Sequence, residues 1–496
     1  MLENKYKQMT ISEHINLYDK IIPKNHFLRQ LKENVDFSFV NELVKEEYSD
    51  RLGRPAKEPE IMYKLLFLQT KDLLSDREVI ERAKVDMSYK YFLDLNPEEE
   101  VVSYSLLSIF RNTRIKEESI LEEMLKDTVK QAIEKGIVKS NSIIVDAAHT
   151  NSKGQKKTPT QILRELSKNL RKEIYRTSPE MKEGFPDKPD ERATLEEEIE
   201  YTKKLITSIE ENITEKTDEK IKKRFKKVKE MLESDKIKEI QSASDEDAKQ
   251  GYKSEDNDFF GYKNHVAMTK ERIVTAIEVT SGEAPDGKYL QDLVEKSKEA
   301  GIDVKEVIGD TAYSGKENLD YGEENEIDII SKMNPVITNS QKRSDGFEYI
   351  KDADTMRCPA GELAIGQSIK KERDLRKEGK GIKNAQIQYK FDINKCKECV
   401  HQEGCYKEGA KNKTYCVTLL SDIHKKQEEF QNTEYFQNTL QHERYKIEAK
   451  NAETKVTHGL AKAKYVGLSR MRIQSYLTHI VTNIKRITKI TVTVPV

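Results

Sequence analysis

Arg444-Tyr-Lys-Ile-Glu448-Ala-Lys-Asn451-Ala-Glu-Thr-Lys455 contains neither proline nor glycine and reads as helix. At about 100° per residue, Arg444, Glu448, Asn451 and Lys455 fall on one narrow stripe. One carboxylate is thereby flanked by cations one and two turns away. Alone, that is an ordinary surface ion pair. Two further stretches give it another meaning. Ser142-Ile-Ile-Val-Asp146-Ala-Ala and Val304-Lys-Glu-Val-Ile-Gly-Asp310-Thr-Ala-Tyr each read as a buried strand carrying an aspartate. The chain therefore supplies two strand aspartates and then a helix glutamate. Divalent cations need hard oxygen ligands converging from rigid elements. Neighbouring strands can present Asp146 and Asp310 at one sheet edge, and a helix packed across the sheet can add Glu448. Such a site would hold two Mg²⁺ ions, with Mn²⁺ as a substitute. These would activate a water or hydroxyl and stabilise the leaving oxygen of a phosphodiester.

Here the chain resembles the DDE transposases of bacterial insertion sequences, which have an RNase H-like core. Asp146 and Asp310 match the two catalytic aspartates and Glu448 the glutamate. The segment resembles the signature Tyr-x2-Arg-x3-Glu-x6-Lys, met here by Arg444, Glu448 and Lys455. Gln441 stands at the tyrosine position, so a phosphate contact through that tyrosine is not carried over. Val101 to Arg111 resembles the end of the family's N-terminal domain, and His458 to Gly467 its C-terminal run. The resemblance implies metal-dependent cleavage at element ends, followed by strand transfer. It implies double-stranded DNA as partner, both terminal inverted repeats and target. It further implies a homodimer on DNA and a nucleoid-associated place in a bacterial cytoplasm. Arg444, Lys455, Lys462 and Lys464 are the candidate phosphate contacts. The competing readings are a nuclease with the same metal site but no strand transfer, and a catalytically silent DNA-binding protein. The second would require a missing acidic ligand. A zinc hydrolase has no His-Glu-x-x-His to support it.

The chain has 496 residues, enough for several structural units around at least one large core. Charged residues make up 35% and the mean hydropathy is -0.80, which suggests exposed, charge-rich helices. No apolar run approaches the roughly 18 residues of a membrane span, and Met-Leu-Glu-Asn-Lys-Tyr-Lys lacks a signal-peptide core. The expectation is a soluble, intracellular protein. Net charge is only -1, but distribution matters more than the sum. Arg444 to Ile490 holds eleven Lys/Arg against two Glu, a local excess of nine positive charges.

In chain order, the expected fold is α/β: an RNase H-like mixed sheet flanked by helices, interrupted twice. Residues 1–138 read as an all-helical unit for DNA binding or dimerisation. In it, Ser75-Asp-Arg-Glu78 is a capping box, Gly136 a helix end, and Arg51-Leu-Gly-Arg54-Pro-Ala-Lys57 a basic turn. Residues 139–151 read as the first strand, with His149 in the loop beyond. Residues 152–257 read as a charged insertion. Its Thr194-Leu-Glu-Glu197 capping box and apolar spacing from Leu195 to Leu232 argue an amphipathic helical hairpin. Residues 258–333 continue the core, with strands at Phe259 to Met268, Ile273 to Thr280, Val304 to Gly309 and Ile327 to Ser331. Ser281-Gly-Glu-Ala-Pro-Asp-Gly reads as a turn, and Lys288 to Ala300 as a helix ended by Gly301. Residues 334–422 form a cysteine-rich insertion. Cys358, Cys396, Cys399 and Cys405 have spacing suited to a structural tetrahedral Zn²⁺, with Cys416 left over or exchanging for one of them. Residues 423–496 hold the glutamate helix and a basic helical end from Leu468 to Ile490.

Overall fold

Ile143, Ile144 and Val145 are fully buried, as a strand inside a sheet requires. They belong to the central strand β1, Ser142–Asn151, in a computed structural model. It describes residues 16–48, 56–182, 184–215, 217–233, 237–254, 257–334, 346–374, 382–407 and 409–493. β2 (Lys249–Ser254) and β3 (Asn257–Thr269) form a hairpin, and β4 (Val274–Ser281) follows. β3 runs antiparallel to β1 along one edge. Its other edge carries β4 and then β2, both antiparallel. On the far side of β1 come the short parallel strands β5 (Glu306–Ile308) and β6 (Asp328–Ile330). The sheet is mixed, as expected, in the order β4-β3-β1-β5-β6. β2 was not expected. Lys249-Gln-Gly-Tyr-Lys-Ser has no apolar alternation, and Tyr252 is exposed; the strand exists because β3 offers it a free edge.

The helix ends follow local chemistry. The Ser75/Glu78 and Thr194/Glu197 capping boxes both form, with Ser75 N–H donating to Glu78 Oε2 at 2.7 Å. Gly136 and Gly301 take φ of +63° and +97° where their helices stop. Arg51 to Pro55 of the basic turn lie outside the described residues.

One continuous apolar cluster joins the N-terminal helices, the sheet and the last helix, Leu468–Thr493. Asn483 fixes that helix to the sheet. Its Oδ1 accepts from Val274 N–H at 2.8 Å, and its Nδ2 donates to Val274 O at 2.8 Å and Thr128 Oγ1 at 3.0 Å. A buried amide with its groups matched favours one register over a sliding apolar contact.

The charged insertion contains helices Pro159–Thr177, Leu195–Glu210 and Glu219–Glu233, so it is more than the expected hairpin. The first begins with its own Thr158/Gln161 capping box and buries Ile162, Leu163, Leu170 and Ile174. The insertion has its own apolar clusters, separate from the main one. In the cysteine-bearing segment, strands Gly366–Lys370, Gln386–Phe391 and Lys413–Thr418 make a small antiparallel sheet. Met356, Tyr389, Phe391, Tyr415 and Val417 form its core. No helix among the described residues is long and apolar enough to cross a membrane.

Candidate active site

The parallel register explains how two distant aspartates meet. The last pair between β1 and β5 is Ile144 with Ile308. Asp146 and Asp310 each follow two residues later, at equivalent places where the strands part. β1 continues to Asn151 without β5 beside it. Asp310 Oδ1 accepts from Ala312 N–H at 2.9 Å, capping a single 3₁₀ turn, Thr311–Tyr313. Burial, then the charges of Asp310 and Asp286, push the Asp146 carboxyl up to about 6. The Ala147 N–H and the Arg444 guanidinium act in the opposite sense.

The free edge of β1 receives the C-terminal segment. Asn151 N–H donates to Ala461 O at 3.0 Å, and Ala463 N–H donates back to Asn151 O at 2.8 Å. This draws helix Tyr445–Ala452 across the strand, and Asn451 Nδ2 donates to Asp146 Oδ2 at 2.8 Å. Lys450 of this helix is buried and paired with Glu453 at 3.0 Å, and Glu453 meets Lys485 of the last helix at 3.5 Å.

Glu448 lies one turn before Asn451, but its carboxylate does not join the two aspartates here. Its side chain is 63% exposed, and Arg444 Nη2 lies 3.9 Å from its Oε1. Among the described residues, no three His, Cys, Asp or Glu side chains converge tightly enough to hold a metal ion as they stand. Asp146 and Asp310 nevertheless fit a hard divalent cation, being half-buried oxygen donors of like charge. Residues one turn apart have Cβ atoms about 5–6 Å apart. The exposed Glu448 side chain therefore stands one helical turn from Asn451, the residue that touches Asp146.

The expected single stripe is broken at its end. The α-helix stops at Ala452 and a wider π turn follows, Glu453–Thr457. Lys455 in that turn brings Nζ to 3.4 Å from His149 Nδ1. His149 is not in a loop but within β1, its ring 4.8 Å from that of Phe259. Lys462 and Lys464 are exposed on the run that pairs with the end of β1, and Gln474 holds that run through Lys464 N–H and Lys462 O.

Sequence reasoning passed over Asp286, Lys263, His265 and Tyr313. Asp286 follows β4 and binds Lys263 Nζ at 2.7 Å. Its only sequence signal is a Pro-Asp-Gly turn, which carries no hint of what it faces.

Cys358, Cys396, Cys399 and Cys405 line one cavity of about 580 Å³, with His401 and Tyr406. Burial pushes the Cys396 thiol up, and the other three thiols add to this. Cys416 lies on the small sheet, opposite Gln388, and does not line that cavity.

Two family models match the chain. Residues 16–113 are similar to the family described as Transposase domain (DUF772), and residues 357–488 to the one described as Transposase DDE domain. The second match contains Arg444, Glu448 and Lys455, while Asp146 and Asp310 lie outside both. No curated protein and no solved structure matches the chain.

Proposed function

The chain belongs to the DDE transposases of insertion elements, and from that premise we propose that Asp146, Asp310 and Glu448 are its catalytic carboxylates. The DNA transposase activity comes from the family; the residues that carry it are this proposal. The observation that supports it most is the shared register: Asp146 and Asp310 stand at matching positions past Ile144 and Ile308, and the Glu448 helix touches Asp146 through Asn451. The strand order β4-β3-β1-β5-β6, antiparallel and then parallel, fits an RNase H-like core.

Asp146, Asp310 and Glu448 would hold divalent cations, Mg²⁺ or in its place Mn²⁺, which supply Lewis-acid activation and charge neutralisation at a phosphodiester. Asn451 holds the Asp146 carboxylate in one orientation without adding charge. Arg444 beside Glu448 and Lys455 in the π turn offer cations to phosphates beside the scissile bond, while Lys462 and Lys464 extend this grip along the backbone. In the first step water would attack phosphorus at the element end as the P–O3′ bond breaks, leaving a 5′-phosphate on one side and a free 3′-hydroxyl on the other. That hydroxyl then attacks a target phosphodiester in line, and one bond forms as another breaks. Bringing two element ends together calls for a homodimer on double-stranded DNA.

In the small lobe, the same reading gives Cys358, Cys396, Cys399 and Cys405 a structural Zn²⁺. Four soft thiols line one cavity and suit Zn²⁺ by chemistry, though they are not gathered tightly enough to hold it as they stand.

The test is Asp310→Asn with paired repeat-end DNA. Cleavage and strand transfer should both fall below detection while DNA binding is kept. Retained cleavage would remove Asp310 from the site, and cleavage without strand transfer in the wild type would leave a nuclease.

A further inference from the structure

Asp286 belongs to neither family match and to no part of the catalytic signature, yet it is built into the same place. Gly287 lies so close to the turn after Asp310 that a Cβ there would sit 2.2 Å from Ala312 O. Asn318 clamps the two turns, its Nδ2 donating to Gly287 O at 2.8 Å and Tyr313 O at 3.1 Å. The turn bearing Asp286 and the turn bearing Asp310 therefore move as one piece.

Two buried polar groups lie beside these carboxylates. The Tyr313 side chain is 1% exposed, and its hydroxyl is without a hydrogen-bond partner among the described residues. The charges of Asp146, Asp286 and Asp310 all act on that hydroxyl. His265 is fully buried, stacked on Tyr289, and its Nδ1 is likewise unmatched, 3.9 Å from Asp286 Oδ1. Buried polar groups without partners are costly, and here one stands in the Asp310 turn and the other beside Asp286.

We propose that Asp286 is a fourth carboxylate of the cation site, with the Lys263 ammonium as the resident counter-charge that a divalent cation displaces. Lys263 is well suited to this. It binds Asp286 Oδ1 at 2.7 Å and Ala284 O at 2.8 Å, so it keeps one partner when Asp286 turns away. The fourth carboxylate also relieves the demand on Glu448, since it comes from a turn clamped to the one that carries Asp310. The inference rests on the metal-site reading above.

Binding of Mn²⁺ alone, without DNA, separates the two. Full-length protein is titrated with Mn²⁺ and the free ion is followed by electron paramagnetic resonance. Asp310→Asn should weaken binding, Asp286→Asn should weaken it about 10-fold or remove one ion, and Lys263→Met should tighten it. Unchanged Mn²⁺ affinity in Asp286→Asn, with Asp310→Asn weakened, overturns the role of Asp286 alone. If neither aspartate variant changes binding, the metal-site reading falls with it. Should Asp286→Asn fail to fold, Lys263→Met decides: tighter binding supports the proposal, and equal or weaker binding refutes it.

Discussion

The Asn451 amide steadies Asp146 in a way a third carboxylate could not, because it donates a hydrogen bond and brings no negative charge. Its Oδ1 is buried and without a partner among the described residues, so the side chain is held by what it gives to Asp146. Asn451→Ala should therefore keep the fold and lower the cleavage rate about 10- to 100-fold, the usual effect of losing a group that orients a ligand. An unchanged rate at unchanged melting temperature would reduce Asn451 to packing. His479 supports a second prediction. It lies fully buried in the last helix, donating Nδ1–H to Ser475 O at 2.8 Å, and burial pushes its pKa from 6.5 to about 4. The unfolded chain then binds the proton more readily. Stability from neutral His479 is complete above pH 6.5 and is lost as pH falls toward 4. The full loss is roughly 3 kcal/mol. Denaturant melts between pH 7 and 4.5 should show it, and His479→Leu should flatten that slope. An equally steep acid limb in the variant would assign the effect to other groups.

Among elements, the small cysteine-bearing lobe has a thin core, five buried apolar side chains among its described residues, and small cores commonly rely on a metal or other staple. If Cys358, Cys396, Cys399 and Cys405 hold Zn²⁺, metal analysis of the protein should find about one ion per chain. Chelation should then raise hydrogen exchange across 346–418 while the main melting transition stays. Equal exchange with and without chelator would show a lobe folded without metal. What the sequence made legible was mostly local. The Ser75 and Thr194 capping boxes need only residues three apart, and both formed. The aspartates were readable because each ends an apolar run. The helix at Pro159–Thr177 was also legible, from Ile162, Leu163, Leu170 and Ile174 at helical spacing, but its high charge hid it. Non-local features were out of reach. β2 depends on an edge supplied by β3, and Asp286 on two turns clamped by Asn318.

At the scale of the whole molecule, the helical part of the insertion, residues 158–240, is joined to the sheet through a stem. Lys157 N–H donates to Gln241 O at 2.8 Å, so the chain leaves and returns at one point. Its apolar clusters share no residue with the main one. Just below the stem, the contacts that matter to the core remain in place. Asp245 accepts from Ser152 Oγ at 2.5 Å, from the Tyr262 hydroxyl and from Gly467 N–H, and Asp247 Oδ2 accepts from Leu468 N–H at 2.8 Å at the start of the last helix. Excising 158–240 and bridging the gap with a short Gly-Ser link should thus cost little, because closing a short loop between adjacent ends is inexpensive. The shortened protein is expected to melt cooperatively within a few degrees of the full chain and to bind Mn²⁺ with unchanged affinity. Its sedimentation on paired repeat-end DNA then reads the arm's own contribution. A smaller complex would assign the insertion to assembly, whereas loss of the cooperative melt in the absence of DNA would mean that the core depends on the arm and that the stem is no boundary.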